Sequence, residues 1–515
     1  MTTIEPEKIH QSLTELRAEG YDFLRSLTGM DWGEEGLGVV YHLEKTATGE
    51  NKVVKTATTN RENPELPSVC DLWKAAEFNE REVYDYFGIH FIGHPDMRRL
   101  YLREDWVGHP FRKDYDESLN PLRMTNEEPD DVTHHYEELP DGSVIKKRDV
   151  LFDQDEYIIN IGPQHPATHG VLRFRVSLEG EIINKLDVHC GYIHRGIEKM
   201  CESLTYPQTL ALTDRLDYLG AHQNRHALCM CIEKALGLEV SDRVQYIRTI
   251  MDELQRIDSH LLFFSCICMD LGALTAFFYG FRDREKILDI FEATTGGRLI
   301  QNYNTIGGVQ ADIAPDFVKK VKEFIAWLRP TLKEYHEVFT GNIIAHGRMD
   351  GVGILSREDA ISFGATGGTG RASGWACDVR KRHPYAMYGK VDFKEITRTE
   401  GDCFARYMVR MEEIVESMNI IELLIDNIPE GPFQEKTKAI IKLPEGSWYS
   451  AVEGSRGEFG VYLESRGDKY PYRLKFRSTG LPLVSIMDTV CRGAKIADLI
   501  AIGATVDYVV PDIDR

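Results

Sequence analysis

Apolar residues in the middle of the chain recur at the spacing of one helix face. They follow Ser241, a residue type that commonly caps helix N-termini, and Asp242, whose carboxylate suits a first helical turn. The apolar positions are Val244, Ile247, Ile250, Met251, Leu254, Ile257 and Leu261. This spacing of three to four residues predicts an amphipathic helix that begins directly after Ser241.

Shorter runs with strand-like patterns lie on both sides of this helical region. Residues 36–45 alternate around Val39, Tyr41 and Leu43. Further strand-like runs, separated by turn residues, are YIINIG, VLRFRVSLEG, WYSAVEG, EFGVYLES and YRLKFRS. We therefore predict an α+β fold, in which a small N-terminal α+β domain precedes a mainly α-helical domain with peripheral antiparallel strands.

The segment from Leu261 to Phe281 is apolar enough to imitate a membrane span, with Asp270 as its only charged residue. A bilayer span needs about 20 apolar residues, but a charge at mid-span costs roughly 2.5–3.5 kcal/mol on insertion scales. The segment also continues the amphipathic pattern. We therefore predict a helix buried on all sides within a soluble core, and a buried Asp270 that needs a partner.

An acidic stretch divides the sequence into two parts. Between Asp116 and Asp141 there are nine acidic residues and a single base, Arg123, with almost no apolar periodicity. Such a composition is typical of a solvated linker. We predict a first domain over residues 1–115, an acidic linker over residues 116–150 and a second domain over residues 151–515.

The composition excludes several classes of function. The 61 Lys and Arg residues against 82 Asp and Glu residues give a formal net charge of −21, which disfavours nucleic-acid binding. No signal peptide is predicted, so the chain is expected in the reducing cytoplasm. The ten cysteines include no C-x-x-C pair and are expected to be reduced thiols.

Two histidines lie four residues apart in IGPQHPATHG, residues 161–170. A zinc motif of the H-E-x-x-H type places its histidines on one helix face, whereas Pro166 lies between His165 and His169. Metal binding is therefore disfavoured. A structural role in the loop and proton donation both remain open, and a reference pKa of about 6.5 suits the second role.

The charged residues of TDRLDYLGAHQNRH, residues 213–226, precede a second helical stretch. Asp214, Arg215 and Asp217 could simply fix the start of that helix. Tyr218 could be a packed aromatic residue whose hydroxyl makes a single hydrogen bond.

Two further motifs have simple structural explanations. Arg195 and Glu198 have the i, i+3 spacing of a surface ion pair. The glycine-rich run FGATGGTGRASG contains no G-K-[ST] and no G-x-G-x-x-G after a clear strand, so nucleotide binding is disfavoured.

Taken together, the motifs of residues 151–515 resemble the 49-kDa, or D-type, subunit of respiratory complex I. In the order of that family they are GPQHPATHGVLRF, GYIHRGIEKM, LTDRLDYLGA, DLGALTAFF, RASGWACDVRKRHPY and GEFGVYLESRG. Upstream, NEREVYDYFGIHFIGHPDMRRLYL resembles the 30-kDa, or C-type, subunit. The chain is thus similar to a fusion of the C and D subunits of bacterial NADH-quinone oxidoreductase, although an expected opening strand of the C part is missing.

The resemblance implies a quinone-reduction site, with menaquinone or ubiquinone as substrate. The family's quinone-headgroup histidine falls on His169 and its quinone tyrosine on Tyr218, while His165 braces the loop. The two side chains would hydrogen-bond the two quinone carbonyls and supply protons. Asp270 matches a family carboxylate that pairs with the histidine and stabilises its imidazolium form.

The resemblance also implies contact with a 4Fe–4S cluster that a different subunit holds. Arg195 and Arg215 match arginines beside that terminal cluster, where positive charge favours the reduced form. Family members often carry a histidine near the cluster, but this sequence has Ile300 there. We therefore expect weak coupling of the cluster potential to pH and a lower potential, as would suit menaquinone.

The implied partners are other complex I subunits: the cluster-bearing B-type subunit, the I-type ferredoxin-like subunit and the membrane-arm H-type subunit. The implied activity is that of a proton-pumping NADH:quinone oxidoreductase. The chain itself is expected to hold no cofactor and no metal. It is expected to attach to the cytoplasmic side of the inner membrane through its partners.

Two alternatives are disfavoured. The fold family is shared with the large subunit of nickel–iron hydrogenases, which bind nickel through two C-x-x-C motifs, but Asp217 and Gly220 occupy the first pair of thiol positions and the last cysteine is Cys491. The other alternative is a non-catalytic scaffold subunit of the same complex. It predicts that His169→Ala and Tyr218→Phe leave quinone reduction intact.

Overall fold

The N-terminal region is built around a four-stranded sheet. A computed structural model describes residues 2–116, 118, 132–139, 143–152, 156–164 and 170–515. Its first elements are β1 (Thr2–Thr3), α1 (Pro6–Ala18), β2 (Phe23–Asp31), β3 (Leu37–Glu44), β4 (Asn51–Thr58), β5 (Glu65–Pro67), α2 (Ala76–Phe87) and β6 (His90–Ile92). The strand order is β1-β4-β3-β2, so an opening strand is present after all, although it has only two residues.

Strands β2 and β3 are buried along their whole length. On one face, α2 packs so closely on β2 that an added Cβ on Gly29 would lie 2.6 Å from the ring of Phe87. On the other face, Met30 and Val40 pack with Tyr462 from the C-terminal part of the chain. The alternating pattern correctly predicted the strand at residues 37–44, but the sheet is covered on both sides.

The segment predicted as an acidic linker contains a β-hairpin. Its strands, β7 (Val132–Glu138) and β8 (Val144–Val150), pair antiparallel. The ring of Tyr136 stacks on His90 at a centroid distance of 4.2 Å, which fixes the hairpin beside β6. The acidic composition did not predict this hairpin. Residues 117 and 119–131 lie outside the described residues, and the domain boundaries stay a prediction.

The second part of the chain opens with an antiparallel sheet and continues as helices. The sheet consists of β9 (Tyr157–Ile161), β10 (Arg173–Glu179) and β11 (Ile182–His189), with β10 in the centre. The following elements are α3 (Ile197–Cys201), α4 (Tyr206–Thr213), α5 (Ala221–Leu236), α6 (Asp242–Asp270), α7 (Leu274–Thr295), β12 (Asn304–Thr305), β13 (Gly308–Val309), α8 (Phe317–Tyr335), α9 (Ile343–Met349), α10 (Arg357–Phe363), α11 (Gly367–Ala372), α12 (Val379–Arg382) and α13 (Cys403–Ile425).

A second antiparallel sheet and four short helices complete the described chain. They are β14 (Glu445–Gly454), β15 (Gly457–Arg466), β16 (Arg473–Arg477), α14 (Gly480–Ser485), α15 (Met487–Cys491), α16 (Asp498–Val506) and α17 (Val510–Asp514). These three strands, together with β9 and β10, match the predicted runs, whereas β11 was not predicted. The α+β prediction is confirmed.

Helix α6 forms the centre of the helical core. The side chain of Ser241 accepts a hydrogen bond from the backbone N–H of Val244, so the predicted start is correct. Helices α5, α7, α13 and α16 pack around it. Almost every α6 side chain between Ile247 and Cys268 is buried.

The prediction of one fully buried helix over Leu261–Phe281 is wrong. Helix α6 ends at Asp270 and α7 begins at Leu274, because the chain turns at Gly272, which has a φ of +84°. Asp270 is half-buried rather than buried. Leu274 and Phe278 are 59% and 63% exposed. Among the described residues, no helix combines the length and apolar character of a bilayer span.

Five buried charged side chains join the N-terminal domain to the C-terminal part of the chain. Two of them are carboxylates, Glu82 on α2 and Glu198 on α3, and the cations are Arg473, Lys475 and Arg515. Glu198 lies 2.7 Å from Arg473 and 3.1 Å from Arg515. Glu82 pairs with Lys475 and Arg515. We name this set the interdomain ion cluster.

The interdomain ion cluster keeps its central carboxylate ionised. Burial alone would raise the pKa of Glu198, but the charges of Lys475, Arg473 and Arg515 lower it to about 2. Buried ions are stable only when every charge has a partner, so removing one member leaves the others uncompensated. Each of the five residues therefore contributes to the contact between the two domains.

We expect Glu198→Gln to lower the free energy of unfolding by about 3–5 kcal/mol, because three buried cations lose a counter-charge. Chemical denaturation of the full chain measures this change. The matched control is Glu5→Gln, since Glu5 pairs with Lys8 on the surface and should leave the denaturation midpoint unchanged. Equal midpoints for Glu198→Gln and wild type would contradict the assigned role.

Candidate functional site

Tyr218 lies in a tight turn between α4 and α5, in which the carboxylates of Asp214 and Asp217 are both hydrogen-bonded. The carboxylate of Asp214 accepts a hydrogen bond from the backbone N–H of Asn302, at 3.1 Å. Asp217 accepts one from the N–H of Leu219, at 3.0 Å, and pairs with Arg456 at 3.0 Å. These contacts fix the turn and therefore the direction of the Tyr218 side chain.

Tyr218 is half-buried and lines a cavity of about 110 Å³. Apolar wall residues come from α6, α16 and the chain after α16; they include Leu262, Phe263, Met269, Ala504, Tyr508 and Val509. Arg456 and Asp507 add two charged groups, and Cys266 adds a thiol. The site is thus a mainly apolar chamber with two tyrosines, Tyr218 and Tyr508, and one ion pair in its wall, which we name the Tyr218 cavity.

The phenol of Tyr218 keeps its proton at neutral pH. Burial raises its pKa and Asp217 adds to the rise, while the positive charge of Arg456 works in the opposite direction. A phenol is a hydrogen-bond donor and, once it has lost its proton, a strong acceptor. Arg456 would stabilise that phenolate.

Arg456 connects parts of the fold that lie far apart in sequence. Besides Asp217, its guanidinium contacts Ser259 at 3.0 Å and Asp507 at 3.2 Å. Asp507 ends α16 in the left-handed region, with a φ of +61°. Gly367 allows the backbone to approach closely, because an added Cβ there would lie 2.2 Å from the Arg456 carbonyl oxygen. This contact gives the glycine-rich run a packing role.

The second predicted donor, His169, and its neighbour His165 lie outside the described residues. Gly170, which follows His169 in the sequence, packs against α17, where an added Cβ would lie 2.4 Å from Val510. Val510 adjoins Val509 in the cavity wall. Asp270 ends α6, one turn beyond Cys266. Its pairing with His169 stays a prediction.

The two arginines predicted beside an iron–sulfur cluster come together on the surface. Both side chains are exposed, and Arg195 donates a hydrogen bond to the carbonyl oxygen of Arg215 at 3.5 Å. Arg215 belongs to the same turn as Tyr218. Glu198, the suggested surface partner of Arg195, is instead buried in the interdomain ion cluster.

One group of possible metal ligands lies in the N-terminal domain, away from this site. Cys70, Glu80 and His94 have ligand atoms within 4.8 Å of one another. Hydrogen bonds already use these atoms: Glu80 accepts from Ser68, Val69 and Cys70, and His94 bonds the backbone through both ring nitrogens. The group is a hydrogen-bonded cluster, and the prediction that no metal is bound stays open.

The nickel positions of hydrogenases carry no thiolates in this chain. Asp217 is paired with Arg456, and Gly220 packs against the Asp217 carboxylate. All ten cysteines are free, and most are buried, as predicted for reduced thiols.

Sequence reasoning missed Arg456 and Asp507. Neither residue belongs to a motif whose spacing points to Tyr218, and 239 positions separate Arg456 from Asp217. In the sequence, Arg456 can be recognised as a charged residue in the turn between β14 and β15. The groups that it contacts depend on the tertiary structure.

Comparison with known proteins agrees with this architecture. The family model of the 30 Kd subunit of respiratory-chain NADH dehydrogenase matches residues 2–120, and that of the 49 Kd subunit matches residues 270–442 and 437–515. The chain is 33% identical to one chain of a membrane-bound sulfane sulfur reductase, an archaeal respiratory membrane complex. That match has a TM-score of 0.68 and covers 71% of this chain and 100% of the other.

Curated relatives cover both parts of the chain. The C/D subunit of NADH-quinone oxidoreductase from Phocaeicola vulgatus is 84% identical over 513 residues, which is 99% of each chain. That of Bacteroides fragilis is 74% identical over 524 residues, again 99% of each. The separate D subunit of the enzyme from Desulfotalea psychrophila is 46% identical, over 71% of this chain and 99% of its own length.

The chain belongs to the family of fused C and D subunits of NADH-quinone oxidoreductase. It is a peripheral-arm subunit of that enzyme. Its partners are other subunits of complex I, and a quinone is the substrate implied for the complex.

Glu80, in the hydrogen-bonded cluster with Cys70 and His94, leads to a prediction about how the free energy of unfolding depends on pH. Burial raises the pKa of Glu80 from 4.5 to about 8, so the folded chain holds a proton there that the unfolded chain releases above about pH 4.5. This contribution to stability is fully present below pH 4.5 and is lost as the pH rises towards 8. Relative to Glu80→Gln, wild type should lose about 1.4 kcal/mol of unfolding free energy per pH unit in this range.

Denaturation of the full chain at several pH values between 5 and 8 measures this difference. The control is Glu7→Gln, whose side chain lies exposed in the first turn of α1 and should follow wild type. Parallel curves for wild type and Glu80→Gln would show that Glu80 is not protonated in the folded state.

Proposed function

We propose that the Tyr218 cavity forms part of the quinone-reduction site of a proton-pumping NADH:quinone oxidoreductase. The observation that carries this proposal is a neutral phenol in an apolar chamber with an arginine in its wall. A quinone ring needs an apolar cavity, and each of its carbonyl oxygens needs a hydrogen-bond donor. Menaquinone and ubiquinone both meet this description.

In this proposal Tyr218 donates a hydrogen bond, and then a proton, to one quinone carbonyl. The substrate takes up two electrons and two protons. Arg456 stabilises the phenolate that remains, because its charge favours that form of Tyr218. Asp217 holds Arg456 in place.

We propose His169 as the donor to the other carbonyl. The contact of Gly170 with Val510, beside the cavity wall, supports this assignment. Asp270 would pair with His169 and favour its imidazolium form. After His169 gives up its proton, an uncompensated negative charge would remain and could trigger proton pumping at a distance.

Electrons would arrive from a 4Fe–4S cluster held by the B-type subunit. The exposed pair Arg195 and Arg215 supports a cluster contact at this surface, since positive charge favours the reduced cluster. Arg215 is only three positions from Tyr218. The cluster would therefore lie close to the quinone.

The exposed start of α7 supports a membrane-arm partner. The ring centroid of Phe277 lies 5.1 Å from that of Phe278 and 4.9 Å from that of Phe281. Such an exposed aromatic face is typical of protein interfaces. We assign this aromatic face to contact with the H-type subunit. We assign a further contact of the chain to the I-type subunit. These partners would attach the chain to the cytoplasmic side of the inner membrane.

We also retain the division into a C-type domain over residues 1–115, a linker over 116–150 and a D-type domain over 151–515. The interdomain ion cluster supports two domains that fold against each other. The β-hairpin shows that the linker is partly structured in its described residues.

We expect Tyr218→Phe to reduce NADH:quinone reductase activity of the assembled complex about 10²-fold or more, because proton donation contributes 10²–10⁴-fold to such reactions. His169→Ala should have a similar effect. The matched control is Tyr157→Phe, since Tyr157 is 67% exposed on β9. A normally assembled complex that keeps full activity in both site variants would instead support the scaffold alternative.

We expect the midpoint potential of the neighbouring cluster to depend only weakly on pH, because Ile300 cannot titrate. Ile300→His should make the potential fall with rising pH, by at most about 59 mV per pH unit. Redox titration of the assembled complex at several pH values, with Ile300→Leu as the control, measures both slopes. A steep slope in the wild-type complex would contradict the assignment.

A further inference from the structure

Two histidines of α5 share one carboxylate of α6 in the core. His222 and His226 lie one helical turn apart and therefore face the same way. Their Nδ1 atoms lie 2.8 Å and 2.7 Å from the two carboxylate oxygens of Asp252. All three side chains have no exposed surface. We name these residues the His–Asp–His triad.

The charged groups around the triad are engaged elsewhere. On α6, Arg248 forms a two-pronged pair with Glu233. Near His222, Asp214 pairs with Arg225. Within the described residues, the two histidines are the only cation-forming groups within 4.0 Å of the Asp252 carboxylate. The charge of Asp252 therefore has no permanent counter-ion there.

Uncharged groups complete the surroundings. The amide of Asn304 donates to the backbone carbonyl of His222, at 3.1 Å. The ring of Tyr303 lies 6.2 Å from that of His222, and the ring of Tyr385 lies 5.6 Å from that of His226. Neither phenol supplies a positive charge.

The hydrogen bonds leave room for one proton. A carboxylate that accepts two Nδ1–H donors leaves each neutral imidazole with a lone pair on Nε2. Both Nε2 atoms are buried, and neither has a hydrogen-bond partner among the described residues. A first proton on either Nε2 brings the triad from a charge of −1 to zero. A second would leave an uncompensated positive charge in the core, which is costly.

We propose that the His–Asp–His triad is a proton-binding site in the core, which takes up one proton for its two imidazoles and is linked through Gln223 to the Tyr218 cavity. Gln223 donates from its side-chain amide to the backbone carbonyl of Asp252, at 3.0 Å. Its side-chain oxygen accepts from the N–H and the hydroxyl of Ser455, at 3.0 and 3.1 Å. Ser455 directly precedes Arg456, which lines the cavity.

The electrostatics agree with a site that binds its proton as the pH falls. Burial lowers the pKa of His226, although the charge of Asp252 opposes this effect. Burial alone would raise the pKa of Asp252, but the two histidines hold it well below its ordinary value. The carboxylate thus stays ionised while an imidazole gains the proton.

Counting bound protons tests the site without any assay of activity. Potentiometric titration of the full chain between about pH 4.5 and 8 would compare wild type with His222→Gln/His226→Gln, which keeps polar side chains at both positions. We expect the double variant to bind about one proton fewer.

Other counts would overturn the proposal. A loss of two protons would mean that the histidines titrate independently, and no loss would mean that both stay neutral. Asp252→Asn provides a second test if the double variant does not fold. It keeps both histidines, yet it should also lose about one proton, because no negative charge remains to hold it. An unchanged count in Asp252→Asn would equally overturn the proposal.

The link to the cavity rests on the proposed function and has its own test. In the assembled complex, His222→Gln/His226→Gln should shift the acid limb of the pH profile of quinone reduction by about 1 pH unit. When Gln223→Leu is also present, the same double variant should shift the acid limb by less. Gln223→Leu alone should leave the number of bound protons unchanged. Identical profiles in wild type and the double variant would overturn the link, whereas full activity of Tyr218→Phe would overturn the proposed function instead.

Discussion

The guanidinium of Arg456 holds the walls of the Tyr218 cavity together. It bonds a turn before α5, the middle of α6 and the end of α16, so three segments that are far apart in sequence meet at one cation. Because this cation is buried, the cost of moving any one carboxylate away is high. The position of Tyr218 follows from this arrangement, since Asp217 is its direct neighbour.

The same principle recurs throughout the chain. Arg371 and Arg380 pair with Glu413 of α13 in a second buried network, and Glu198 is the centre of a third between the domains. Each network joins parts of the chain that are distant in sequence. Helix packing provides the apolar core, and the buried ions fix which face of each helix meets its neighbour.

Local patterns in the sequence predicted the regular elements well. The start of α6 at Ser241 and the strands near residues 157, 173 and 448 depend on caps, turns and alternation, which neighbouring residues determine. The break between α6 and α7 was missed because apolar content continues across it, and a single glycine changes the direction of the chain. The hairpin after residue 131 was missed because its stability comes from Tyr136 on His90, a tertiary contact.

The site was predicted only in part, and for a similar reason. Tyr218, Arg195 and Arg215 lie in motifs that a family resemblance can identify, and the two arginines do meet. Arg456, Asp507 and Asp252 lie in no such motif, and the sequence assigned no role to His222 and His226, although both lie in the stretch over residues 213–226. Their roles follow from distances between helices and strands, which no spacing along the chain encodes.

The interdomain ion cluster has a consequence for synthesis on the ribosome. Glu82 precedes its partner Lys475 by 393 residues. At about 5–20 residues per second, translation needs about 20–80 s to cover that distance. During this interval the first domain carries a carboxylate whose cations have not yet been made. Its final docking must therefore be a late event, which follows the emergence of β16.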